Sequence, residues 1–451
     1  MGRSALVLVA AIGFAACDPS GTASPSPSAS TSPSSAAPSP SVPESGRLIL
    51  VGRIVTMDEP AIAEAILIED GRVTAVGTRD EVLALADDQT RVIDIGSNVA
   101  YPGFVDAHSH WIGDRAHYLG TSSAQDAMKA AVSRGWTSIG ELWEDEWRIG
   151  ELLELADHGE LLLRVDAYFA LNLPAPTGEH LGDWYTQYQP GQVTDRLRLQ
   201  GVKVTLDNGW GSLFWWQPAD LLETVARADE AGWQVAIHTV STEAHEMVLA
   251  AYEHALAGGP NTRHHRIEHA VQVTDEQLAR MAALDLATVV HLDGASSDWV
   301  LEADYLGNLG ENTAWLARWR DFVDAGLHVA SAVDTPWIFP NLELTDDIGR
   351  PFDHIAGGMD ARGRANPDTP EWALDQLLTA EQGLRAVTID AAWALGDEAN
   401  RGHLAVGTYG DVTILSRDVT TGTPDEIRST EVIATIVGGG TVFCGDPAFC
   451  P

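Results

Sequence analysis

Lysine is nearly missing from this sequence: among 451 residues only Lys129 and Lys203 carry an ammonium group, and every other basic side chain is arginine. Lys and Arg together number 27 against 65 Asp and Glu, a formal net charge of −38. A field of that sign repels phosphate backbones and leaves no basic footprint, which argues against nucleic acid as a partner. Cysteine is scarce, at 3. The apolar run from Ala5 to Ala16 is too short to span a bilayer, and no glycine-rich phosphate loop favours a doubly wound nucleotide-binding sheet. What is present is ordinary for a globular chain, with 45% hydrophobic and 20% charged residues, so wholesale disorder and a polytopic membrane protein are both disfavoured. An acid-rich, lysine-poor surface suits a salty or otherwise demanding external medium.

The N-terminus bears on the compartment. Arg3 precedes the Ala5–Ala16 run, whose length suits the hydrophobic region of a secretory signal. The run ends Phe14-Ala15-Ala16-Cys17, which resembles the lipobox of bacterial lipoproteins. That resemblance implies a signal peptide over residues 1–16, removed before a lipid-bearing Cys17, and an extracytoplasmic protein anchored to the cell membrane. A plain secretory signal with an incidental cysteine is the other reading. Residues 17–45 are almost entirely Ser, Pro, Ala and Thr, a composition that cannot bury enough apolar area to offset its ordering entropy and so reads as a tether. Cys444 and Cys450 are left as an even pair flanking a turn, and an extracytoplasmic location permits a disulfide between them.

From Gly46 the chain turns to short β-rich runs, including Arg47–Val51, Ala65–Ile68, Arg72–Val76 and Arg91–Ile95, with the hairpin signal Asp70-Gly71 between the second and third. Similar runs return at Gly410–Leu415 and Val432–Val437. These predict a small β-sandwich domain built from both chain ends, residues 46–98 and 399–451. Between them, over residues 99–398, strand-like runs alternate with helical stretches. Candidate strands are Ala100–Ala107, Thr137–Leu142, Leu162–Phe169, Val202–Leu206, Val235–His238, Arg266–His269, Thr288–His291 and His328–Val333. Candidate helices are Pro218–Ala231, Glu243–Ala257, Asp275–Leu284 and Thr313–Ala325. This pattern predicts an α/β fold, a (β/α)8 TIM-type barrel with its chemistry at the C-terminal ends of the strands.

Chemistry-bearing residues fall at those ends. Phe104-Val105-Asp106-Ala107-His108-Ser109-His110 closes an apolar strand with two histidines on one face, able to grip one metal ion. Surface histidines after a strand would look the same. Lys203 interrupts the apolar run Gly201–Leu206; an ammonium buried there has to be paired, neutralised or chemically altered, unless the position is a solvated edge. His238 and His269 end two further apolar strands, where a satisfied core histidine is the ordinary alternative. Asp334 ends the last candidate strand, where a turn aspartate is the ordinary alternative. Neutral imidazoles with carboxylates suit zinc and similar divalent metals, and thiolates of a closed structural site are missing from the set. His291 ends the seventh candidate strand, with a pocket-facing and a core role equally open. His264 and His265 read as exposed or as supporting neighbours of His269. Asp207, Asn208 and Gly209 could line a cavity, and Trp111, Trp143, Trp147, Trp210, Trp215, Trp216 and Trp337 fall just after predicted strands, as substrate wall or as packing.

The ordered set, Pro102–His110, Gly201–Asp207, the His238 strand, Arg263–Ala270, Val329–Pro336 and the closing Gly402–Asp411, resembles the amidohydrolase superfamily of metal-dependent (β/α)8 hydrolases, most closely the branch that includes N-substituted formamide deformylases. The resemblance implies that His108, His110 and Asp334 bind one ion. It implies that His238 and His269 bind a second, and that Lys203, carboxylated on its amine, bridges the two. One or two divalent ions, zinc foremost, are then expected, with water activated as hydroxide. Asp334 is expected to act as general base and then general acid in cleaving a C–N bond of a small amide-type substrate. A deaminase, esterase or isomerase of the same superfamily is the nearest alternative. A tethered solute-binding lipoprotein without turnover is an alternative of a different class.

Overall fold

The computed structural model describes residues 46–173, 177–208, 211–292, 315–334, 349–362, 368–369 and 371–450. The expected signal and tether lie outside them. Four strands come first: β1 (Leu48–Val55), β2 (Ile62–Glu69), β3 (Arg72–Gly77) and β4 (Arg91–Pro102). Asp70 and Gly71, with φ of 49° and 78°, make the tight turn between β2 and β3, the left-handed pair that a two-residue hairpin requires.

The barrel follows as β5 (Phe104–Ser109), β6 (Trp136–Glu144), β7 (Arg164–Ala170), then β8 (Gly191–Thr194), a short antiparallel strand paired to β9 (Leu197–Thr205), and β10 (Gln234–His238), β11 (Arg266–Glu268), β12 (Ala287–Val290) and β13 (His328–Ser331). Among the described residues the barrel order is β5-β6-β7-β9-β10-β11-β12-β13, each neighbouring pair parallel. Between β13 and β5 the seam is bridged at the C-terminal end: Asp334 N–H donates to the His108 carbonyl at 2.8 Å and Val333 N–H to Asp106 Oδ1 at 3.0 Å. The first and last strands are thus tied together by the residues that carry the candidate chemistry.

The chain then returns to the first sheet with β14 (Val412–Leu415), β15 (Val432–Val437) and β16 (Gly440–Cys444), giving the order β16-β15-β14-β4-β1-β2-β3 among the described residues. Its two ends curl toward each other, since a Cβ on Gly71 would sit 3.8 Å from Gly438 Cα. Leu50, Ile66, Ile93, Val412, Ile414 and Ile436 share the apolar layer inside. Cys444 and Cys450 are joined by the expected disulfide, their Cα atoms 5.5 Å apart.

Several boundaries differ from the sequence reading, the fourth candidate strand for one beginning at Leu197 and not at Val202, and two of the differences have a visible local cause. The first barrel strand begins at Phe104, because Ala100–Pro102 end β4 and pair with β14. Gly103 is the transfer point: a Cβ there would lie 2.1 Å from Thr137 Oγ1, so only glycine lets the backbone pass that close as it leaves one sheet for the other. Of the expected helix Thr313–Ala325, Thr313 and Ala314 lie outside the described residues and the helix runs only over Trp319–Asp324, because Leu316 pairs with Gln272 and Ala317 takes φ 43°. The helices Pro218–Glu230, Thr242–Leu256 and Asp275–Ala283 match the reading to within a residue at either end. Proline at the first turn, Ser241 accepting from Ala244 N–H, and a Thr274–Gln277 capping box start them.

The barrel interior is lined by small residues, Ala107, Ala236, Ala287, Ala330 and Ala332 with Val105, Val289 and Tyr168, and it packs against Ala391, Ala394 and Leu395 of the segment following Thr388. Room is needed inside because Lys203, Arg266 and Glu268 are buried there as well. Among the described residues no helix is long and apolar enough to cross a membrane.

Candidate metal centre

Asp106 and His108 lie in β5, whose pairing with β6 shifts register between Asp106 and Ser109, and His110 follows it; all three are buried. His108 Nδ1 lies 2.7 Å from Glu268 Oε2, and its Nε2 lies 3.4 Å from Asp334 Oδ1 and 3.5 Å from Lys203 Nζ. His110 Nε2 lies 3.1 Å from the same Asp334 oxygen. Asp334 holds φ 47° just past β13, a left-handed turn that aims its carboxylate back over the strand ends. Asp106 braces this corner: Oδ1 accepts from Val333 N–H and Oδ2 from Trp111 Nε1–H at 3.0 Å.

Across the barrel mouth, His269 follows β11 with φ 73° and donates its backbone N–H to the Val289 carbonyl at 2.7 Å. Its Nδ1 lies 2.8 Å from His291 Nε2 and 3.8 Å from Asp334 Oδ2. The His238 ring stands 4.4 Å from that of His269, centroid to centroid, and its Nε2 lies 3.6 Å from Asp207 Oδ1. Asp207 itself is engaged by the N–H groups of Val240 and Ser241 and by the Ser241 hydroxyl.

Burial sets the protonation states. It holds His108 and His269 well below the usual imidazole range and His238 at about 3, with nearby cationic groups adding to the effect. These rings are therefore neutral, the form that binds metals. Burial also brings the Lys203 amine down to about 8, with Glu268 and Asp334 opposing. Asp334 keeps a lowered pKa: burial pushes it up, and the His110 hydrogen bond with the surrounding imidazole and lysine charges pulls it further down.

Two sets of donors each gather within 4.8 Å: His108, His110 and Asp334, and His269, His291 and Asp334. The structure therefore brings together five chemistry-bearing side chains, with Asp334 common to both sets. Lys203 borders the first set, and His238 borders the second through His269. The nitrogen and oxygen donors suit a borderline divalent ion, and buried His238 Nε2 has no hydrogen-bond partner, so the residues present fit a metal centre.

The sequence reading missed Asp106 and Glu268 and left His291 open. Glu268 faces into the barrel with Arg266, its Oε1 2.7 Å from Arg266 Nε, both side chains fully buried. The signal available was the pair of opposite charges two apart in a three-residue strand, Arg266-Ile267-Glu268. His264 and His265 lie off the centre: His264 stacks on Trp393 at 4.0 Å, and His265 accepts from Val235 N–H and pairs with Asp229. Trp111 is buried against Asp106, Trp216 stacks on His180 at 4.0 Å, and Trp147 is exposed. Gly209, Trp210 and Trp337 lie outside the described residues.

A family model described as Amidohydrolase family matches residues 121–443, beginning after the His108–His110 pair. N-substituted formamide deformylase from Arthrobacter pascens is 28% identical over 324 residues, 64% of this chain and 56% of that protein. Imidazolonepropionase from Symbiobacterium thermophilum is 26% identical over 397 residues, 78% of this chain and 83% of that protein. The crystal structure of an uncharacterized metal-dependent hydrolase from Pyrococcus horikoshii superposes with a TM-score of 0.68 at 18% identity, covering 84% of this chain and 99% of that one. The chain spans about half the length of the first curated relatives it matches. None of these comparisons supports a solute-binding module without turnover.

Proposed function

The chain belongs to the amidohydrolase family, and on that premise we propose that it is a metal-dependent hydrolase that cleaves a C–N bond of a small amide-type molecule. The observation that carries this is the approach of His108 Nε2 and His110 Nε2 to one Asp334 oxygen, at 3.4 and 3.1 Å, at the mouth of the barrel. His108, His110 and Asp334 would hold one ion, zinc in our reading. His269, with His238 and a carboxylated Lys203, would hold a second, as the family pattern implies. A divalent ion there supplies a Lewis acid for the scissile carbonyl and lowers the pKa of water from 15.7 toward about 7.

The chain's own residues do the rest. The Glu268 carboxylate stands 2.7 Å from His108 Nδ1, which favours the proton on that nitrogen and leaves the Nε2 lone pair for the centre. Asp334, whose Oδ1 lies against His110, accepts the proton of the attacking water and passes it to the leaving nitrogen. Its lowered pKa keeps it ionised and ready at neutral pH.

The Cys17 lipobox resemblance and the Cys444–Cys450 disulfide support an extracytoplasmic, lipid-anchored location. A radiolabelled fatty acid incorporated by the wild type and not by Cys17→Ser tests the anchor.

The functional test is a panel of N-formyl and N-acyl compounds offered to zinc-loaded and chelator-stripped protein. Turnover of at least one amide that disappears with the chelator and returns with zinc is expected. Turnover confined to esters, or none across the panel by metal-replete protein, sinks the C–N assignment.

A further inference from the structure

One imidazole at the barrel mouth has no part in the reading above. His291 follows β12 and is 5% exposed. Its Nδ1 lies 2.7 Å from the Ala332 carbonyl oxygen. A carbonyl can only accept, so the neutral ring carries its proton on Nδ1 and presents the lone pair of Nε2 on the opposite side. That lone pair faces His269 Nδ1 at 2.8 Å, and the proton between the two rings therefore belongs to His269. Asp334 Oδ2 completes the group, 3.8 Å from His269 Nδ1 and 3.9 Å from His291 Nε2. Two ring nitrogens and one carboxylate oxygen thus surround a position held by a single proton. A ring whose far N–H is fixed by a backbone carbonyl is the arrangement by which proteins orient a metal-binding histidine.

We propose that His291, through Nε2, is a ligand of the second divalent ion together with His269 and Asp334. The inference rests on the metal-dependent reading of the site and adds to it a strand end that the family resemblance did not assign. It follows from the placement of the seventh strand: Ala332 accepts both from His291 and, through its own N–H, donates to the Val290 carbonyl at 3.0 Å, so β12 and β13 hold the ring from both sides. Binding a cation between the rings moves the His269 proton to the other nitrogen of the same ring, which frees Nδ1 as a donor.

The test compares wild type with His291→Asn and His291→Gln after zinc loading and desalting. Asparagine keeps an amide N–H within reach of the Ala332 carbonyl and has nothing at the Nε2 position, whereas glutamine extends into it. Elemental analysis is expected to find one zinc fewer per chain in folded H291N than in wild type. An unchanged zinc count in H291N with a wild-type circular dichroism spectrum overturns the proposal while leaving the metal-dependent reading intact. Should H291N fail to fold, nitrogen NMR of histidine-labelled wild type decides: the His291 Nε2 resonance moves on zinc addition, and a resonance that stays put overturns the ligand. A wild type that takes up no ion sinks the metal reading itself and this inference with it.

Discussion

Glu268 is the residue on which the centre's geometry turns. It is fully buried between Arg266 Nε at 2.7 Å and His108 Nδ1 at 2.7 Å, so one carboxylate neutralises the barrel's internal arginine and orients a candidate ligand. Glu268→Gln keeps the shape and removes the charge, leaving Arg266 with neutral partners, the carbonyls of Ala107 and Ala394 and the Tyr168 ring, in place of its counter-charge. Breaking a buried pair from one side costs about 3–5 kcal/mol, and losing the group behind a metal-bound histidine costs about 10–100-fold in metal affinity. Urea unfolding of the apo protein and competitive zinc titration measure the two effects separately; a variant equal to wild type in both shows that Glu268 merely fills space. Lys203 makes a second prediction at this scale. Its amine, brought down to about 8 by burial, is partly neutral at ordinary pH, the form that can take up carbon dioxide. Lys203→Ala is expected to lose at least 100-fold in turnover, since bridging ligation and metal polarisation are removed together, and to regain part of it when propionate is added. No regain, together with an unmodified Lys203 in intact-protein mass spectra, removes the carboxylated-lysine assignment. His108, His110 and Asp334 could be picked out from sequence because each is a polar residue at the end of an apolar strand, and Lys203 because it interrupts one. Asp106 and Glu268 were not, because a buried carboxylate on a strand gains its meaning from partners on other strands: Val333 for one, and His108 for the other.

At the scale of elements, helices and strands bury titratable groups of opposite sign, and their pH effects oppose each other. The helix Thr242–Leu256 buries His245, whose Nδ1 faces the Ser241 carbonyl and whose Nε2 faces Thr239 Oγ1; burial lowers its pKa to about 4. Between that value and the unfolded value of about 6.5, the unfolded chain binds the proton and the folded chain does not, so stability falls as pH falls. Wild type is expected to lose about 1.4 kcal/mol per pH unit relative to His245→Gln between pH 6.5 and 4. At the end of β6, burial raises the Glu144 carboxyl to about 8. There the folded chain holds the proton, and stability falls as pH rises from about 4.3 toward 8, so the difference between wild type and Glu144→Gln runs with the opposite slope. Urea midpoints of both variants across pH 4–8 check the pair, and parallel curves in either case refute the assignment. Two of the element boundaries that the sequence misplaced share one cause, local backbone geometry imposed from elsewhere in the fold. Gly103 passes the chain between sheets because Thr137 leaves no room for a Cβ, and Ala317 turns left-handed in a stretch whose residues favour helix. Periodicity reports what a segment prefers and carries no record of the neighbour that overrules it.

The whole molecule carries 65 acidic residues against 27 basic ones, so even complete pairing would leave a large acidic excess without counter-charges. Much of the arginine is already committed inside the fold. Arg164 binds Asp411 at 2.7 Å and 2.9 Å, and Arg401 binds Asp166 and Asp397 at 2.7 Å each, all of them buried. Internal pairs of this kind are poorly screened by salt, whereas repulsion among exposed carboxylates is screened within about 8 Å at physiological ionic strength. Exposed pairs such as Arg79–Asp94 at 3.0 Å contribute at most about 1 kcal/mol and lose even that in salt. The balance therefore favours relief of repulsion. The melting temperature of the apo protein is expected to rise by several degrees between about 0.05 and 1 M sodium chloride, since about 1 kcal/mol corresponds to about 2–4 °C for a chain of a few hundred residues. Potassium chloride should act alike, because screening depends on ionic strength and not on the cation. A melting temperature that falls with either salt would show that attractive surface pairs outweigh the acidic excess, and the expectation of a salty working medium would fall with it.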